Sequence, residues 1–94
     1  MSDLLAQQTK GQISQSLLEN ELLKEALDAI EQEVVEQWAE CPARDKEGKE
    51  ALWQLMKTAQ KFRRILTGYV ETGKLATEQL KSFEEKRGVR RFLP

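Results

Sequence analysis

The chain has 94 residues, 39% apolar and 33% charged, with a net charge of −1. That length fits one domain and buries only about 60–65% of the unfolded surface, which leaves little stability in reserve. There is no His and one Cys; the commonest general base and transition-metal ligand is therefore missing, and neither an internal disulfide nor a Cys-based metal cage can form.

The apolar share is too high for disorder of the compositional kind. Ala, Leu, Glu, Lys and Gln dominate, which predicts helices. No apolar run approaches the ~20 residues that span a bilayer, and MSDLLAQQTK has neither region of a signal peptide. No membrane partner is expected, and a reducing cytoplasm is the natural compartment.

Residues 1–15 carry Leu4 and Leu5. They are expected to form a loosely ordered N-terminus, because Gly11 argues against one continuous helix. An acidic helix is predicted over 16–40. Ser16 with Glu19 is a capping-box pattern, and Asn20 followed by Glu21 offers a second cap. The run then continues without Gly or Pro until Pro42, which pushes Cys41 towards extended backbone. Leu23, Leu27, Ile30, Val34 and Trp38 recur at helical spacing and make one apolar stripe.

A turn is predicted over 41–45, within the stretch CPARDKEG. Cys41 is in phase with the apolar stripe and reads as a small apolar residue at the helix end; no base accompanies it to make a nucleophile. A basic helix is predicted over 46–72, with Asp45 as cap and Gly48 weakening its first turn. Leu52, Leu55, Ala59, Phe62, Leu66 and Tyr69 follow at heptad spacing. Gly68, inside this helix, costs about 1 kcal/mol against Ala, and Gly73 reads as the residue that ends it. Thr77 is placed to cap a short third helix over 77–87, with Leu80 and Phe83 as its apolar face. Gly88 ends it, and 88–94 is a basic tail.

The expected fold class is all-α: an antiparallel two-helix hairpin with a short third helix, assembling into an oligomeric helical bundle. Charge divides sharply along it. Leu17 to Glu40 holds eight acids and one base, a net of −7. Lys46 to Thr72 and Gly73 to Pro94 each carry six bases and three acids, a net of +3 apiece. Like charges at i+3 and i+4 on the acidic helix each cost a few tenths of a kcal/mol, so that helix gains from a basic neighbour.

The apolar face of the basic helix spans about 180°, whereas one partner helix covers somewhat over 100°. Leu22, Ala26, Ala29 and Val35 also lie off the main stripe of the acidic helix. This surplus points to self-association, with Leu55, Phe62, Ile65, Leu66 and Tyr69 as the candidate oligomer interface. Coverage by the third helix and the N-terminal segment is the alternative. Lys57, Lys61 and Arg64 form a basic ridge behind that face, and Lys86, Arg87, Arg90 and Arg91 a basic cluster beyond it. Both are candidate contacts for nucleic acid or an acidic partner, although a solvated surface is the blander reading.

Trp38 and Trp53 flank the turn from opposite arms. They read first as a hydrophobic plug and second as a ligand-stacking platform. The carboxylates lack the pattern of a metal site, and the glycines are too scattered for a phosphate loop. No catalytic residue, metal or cofactor is assigned, and the chain reads as non-enzymatic.

The stretch LLENELLKEALDAIEQEVVEQWAECPARDKEGKEALWQLMKTAQKFRRILTGYVETGKLA, residues 17–76, resembles small helical proteins of tailed bacteriophages and prophages. The shared features are the LLEN-x-LL-x-EA opening, an acidic helix ending near Trp, the P-x-RD-x-EG corner and the ETGKLA close. The resemblance implies genes beside those for virion structure and DNA packaging, and a host-cytoplasmic or virion location. It brings no catalytic residues. Three functions are consistent with these readings. The first is a self-associating protein–protein interaction module that assists virion assembly, partnered by phage virion proteins. The second is a DNA-contacting accessory such as a small packaging subunit. The third is a small inhibitor that sequesters a host protein.

Overall fold

The computed structural model describes residues 2–92, with side chains from Asp3 to Glu85. Among the described residues the chain is all-helical. Its elements are α1 (Ser2–Glu19), α2 (Glu21–Glu40) and α3 (Lys46–Phe92). It divides into two compact units, one joining Met1–Ser16 with Leu66–Pro94 and the other formed by Leu17–Ile65.

The unit of Leu17–Ile65 is built on α2 and the first part of α3. Its start is set by Asn20, an extended residue (φ −69°, ψ 118°) whose side-chain oxygen accepts from the Leu23 amide at 2.9 Å. That bond satisfies one of the orphan donors of a helix start. Asn20, rather than Ser16, is therefore the cap, and the acidic helix begins at Glu21. It stops at Cys41, whose amide donates to the carbonyls of Gln37 and Trp38 at 2.9 and 3.2 Å. The Asp45 amide donates to Pro42 O at 3.0 Å, and the Asp45 carboxylate accepts from the Gly48 amide at 2.9 Å, capping α3 as its sequence predicts. The buried residues of this unit are Leu27, Val34 and Ala59. The Arg63 guanidinium reaches across to Asp28 (2.7 Å) and Glu31 (3.1 Å), which fixes the stretch of α3 lying beside the middle of α2.

The other unit departs from the sequence expectation. The residues read as a loose N-terminus form the helix α1, which runs straight through Gly11. The basic helix does not end at Gly73, and no separate helix begins at Thr77. Instead α3 is continuous from Lys46 to Phe92, including most of what was read as a tail. One contact explains both differences. A methyl group built on Gly11 would lie 2.9 Å from the Cα of Gly73 and 2.9 Å from the carbonyl oxygen of Tyr69. One built on Gly73 would lie 2.9 Å from the Gly11 Cα and 3.1 Å from the Gln7 carbonyl. The two glycines are thus where the backbones of α1 and α3 meet, a use of the missing Cβ for close approach rather than for a turn.

Small residues continue that contact. Ser14 and Ala76 are buried, and Ser14 satisfies its hydroxyl on the Lys10 carbonyl at 2.8 Å. The Thr77 hydroxyl donates to Gly73 O at 2.9 Å and accepts from the Gln8 amide nitrogen at 3.0 Å. Thr77 therefore links two helices instead of capping one. No helix among the described residues is long and apolar enough to cross a membrane.

Candidate functional site

The five residues read as an oligomer interface have two fates. Leu66 is buried in the chain itself (8% exposed). Tyr69 is half-buried, with the Lys10 ammonium 3.9 Å from its ring centroid. These two are covered within the chain. Leu55, Phe62 and Ile65 stay open to solvent, at 48%, 44% and 43% exposure. At 100° per residue they fall within about 80° on one flank of α3, and Ile30 of α2 is also exposed.

The opposite flank holds a second apolar surface. Val34, Val35 and Trp38 of α2 and Leu52, Trp53 and Met56 of α3 line a groove of about 260 Å³. Trp38 and Trp53 thus come to one place, as their positions either side of the turn suggested, but both remain substantially exposed. Lysines lie over both indoles. Lys49 Nζ is 4.3 Å from the Trp38 ring centroid and donates to the Trp38 carbonyl at 3.4 Å, and Lys57 Nζ is 4.8 Å from the Trp53 ring. Cations over indole faces at such distances are attracted by the ring quadrupole.

Among the described residues, the expected charge relief of the acidic helix by α3 comes through Arg63, beside the Lys24–Glu21 pair within α2 itself. Arg63 pairs with two carboxylates at once, with its own side chain about one-third exposed. The sequence reading missed Arg63, although its place beside the α3 seam is the signal that could have found it. Lys61 and Arg64 of the basic ridge are exposed and make no ion pair among the described residues. Lys86, Arg87, Arg90 and Arg91 lie outside the described side chains, their backbone falling within α3. Cys41 is half-buried at the turn, its thiol 3.8 Å from the Asp45 carboxylate. Among the described residues no cluster of three or more acidic or Cys side chains is placed to hold a metal ion.

No family model, curated protein or solved structure matches this chain.

Proposed function

We propose that the chain is a non-enzymatic helical interaction module that self-associates through the Leu55, Phe62 and Ile65 flank of α3. In this reading α2 and the first part of α3 act as a hairpin that presents the flank. In line with the phage resemblance, its use is virion assembly. The observation that carries the proposal is the exposure of three large apolar side chains in helical register, since contiguous apolar surface of this kind marks interfaces.

Charge favours a second copy as the occupant. Glu25 and Glu33 on α2 and Lys61 and Arg64 on α3 take no opposite charge within the chain among the described residues. A two-fold pair can set the acids of one protomer against the bases of the other.

Sedimentation at micromolar concentration tests this. We expect a dimer or larger species for the native chain and a folded monomer for Leu55→Glu/Phe62→Glu. A native chain that sediments as a monomer throughout overturns the proposal.

The exposed, unpaired Lys61 and Arg64 also favour a second reading, contact with DNA phosphates. It requires duplex DNA binding at low salt that weakens in Lys61→Glu/Arg64→Glu, because each lost phosphate contact lowers the salt slope by about one.

A further inference from the structure

We infer that the groove between Trp38 and Trp53 docks an acidic amphipathic helix of a partner protein. It is a different surface from the self-association flank. Relative to the buried Ala59, Met56 and Trp53 lie on one side of α3, whereas Leu55, Phe62 and Ile65 lie on the other.

The chemistry of the groove selects the occupant. Its walls are Val34, Val35, Leu52 and Met56 with the two indoles, so it receives an apolar side chain. At about 260 Å³ it falls just below the range of small-molecule pockets. It suits instead one or two anchor residues spaced a turn apart on a helix. The rim is charged on one edge. Lys49 and Lys57 are held over the indole faces, and neither has a carboxylate partner among the described residues. Lys46 and Glu50 also stand around the two tryptophans; Glu50 accepts from the Gln54 side-chain amide at 3.0 Å, and the three lysines leave the edge net basic. On α2, Asp28 and Glu31 are already engaged by Arg63.

The groove therefore presents an apolar floor with a basic edge whose ammonium groups are positioned in advance. Its complement is a helix with aliphatic anchors and a row of Glu or Asp along one side. Positioning in advance lowers the ordering cost of binding, and the lysines choose the sign of the partner. A nucleic acid fits less well. A ligand base would have to displace an ammonium from an indole face, and the acidic α2 alongside repels phosphate.

The chain reports on the groove directly, because Trp38 and Trp53 are its two tryptophans. The probe is a synthetic helical peptide with Leu on one face and Glu along one edge of that face. Controls are its twin with Lys for Glu, and oligothymidylate. We expect a saturable change in indole emission with the acidic peptide alone. Lys49→Gln/Lys57→Gln should weaken it about tenfold, the size expected of two partly exposed ion pairs. Val35→Glu, at a position 58% exposed, should abolish it with helicity unchanged. An acidic peptide that leaves the emission unchanged overturns the inference, as does equal binding of the basic twin. A stronger response to oligothymidylate overturns it in favour of base stacking. Loss of self-association in Val35→Glu overturns it in favour of a second copy in the groove. Monomeric sedimentation of the native chain sinks the self-association proposal and leaves this one standing.

Discussion

A methyl group added at Gly68 meets no atom within 4 Å, whereas one added five residues later at Gly73 meets the backbone of α1 at 2.9 Å. Both glycines are helical and neither has positive φ, so the two substitutions share the same propensity gain and differ only in their surroundings. Gly68→Ala should stabilise the chain by about 0.5–1 kcal/mol. Gly73→Ala should lose about 1–2 kcal/mol net, because a Cβ at that distance forces two backbones apart at the overpacking cost. Urea denaturation of the two variants checks the sign of each. Arg63 supports a second residue-level expectation. Its partner Glu31 is about one-third exposed and Asp28 mostly exposed, so screening limits each bond. A double-mutant cycle with Arg63→Met and Glu31→Gln should give a coupling of about 0.5–1 kcal/mol that shrinks in molar salt.

At the scale of elements, the break between α1 and α2 depends on a single extended residue. Asn20→Ala removes the acceptor of the Leu23 amide and should cost about 1 kcal/mol. It should also let helix propagate across position 20, read as slower hydrogen exchange at the Leu22 amide. The Asn20 and Asp45 caps were legible in the sequence, as was the α2 stripe, whereas the hydroxyl residues Ser16 and Thr77 read as caps but are not. Asn and Asp compete for backbone donors at fixed offsets, and Leu27 and Val34 follow the helical period into the buried core. α1 was not legible. Of its large apolar residues Leu5, Ile13 and Leu17 are exposed and Leu4 and Leu18 only half-buried, and its fully buried residues are Gly11 and Ser14. Apolar periodicity has nothing to register where a helix packs through its small residues. The same blindness turned Gly73 from a contact into an expected stop, and with it divided α3 in two.

At the scale of the whole molecule, the exposed surfaces were legible only in outline. The width of the apolar face on α3 showed that one partner helix could not cover it. Burial then had to separate Leu66 and Tyr69, which the chain covers itself, from Leu55, Phe62 and Ile65, which it leaves open. The consequence for stability follows from the size of the core. Among the described residues the buried apolar ones are Leu27, Val34, Ala59, Leu66 and Ala76, and no large side chain falls below 2% exposure. At roughly 1.5–3 kcal/mol for a fully buried large aliphatic residue, such a core sets little against the backbone entropy of ordering so many residues. Association that covers Leu55, Phe62 and Ile65 should therefore be felt in the melting temperature. For folding coupled to dimerisation, a hundredfold rise in concentration stabilises the dimer by about 2.7 kcal/mol through mass action. Shared between two chains, that corresponds to an upward shift of roughly 5–10 °C. Calorimetry across that concentration range should show the shift in the native chain. Leu55→Glu/Phe62→Glu, which removes the apolar contact without touching a buried position, should melt at one temperature regardless of concentration. A native chain with a concentration-independent transition would mean that it folds without a second copy.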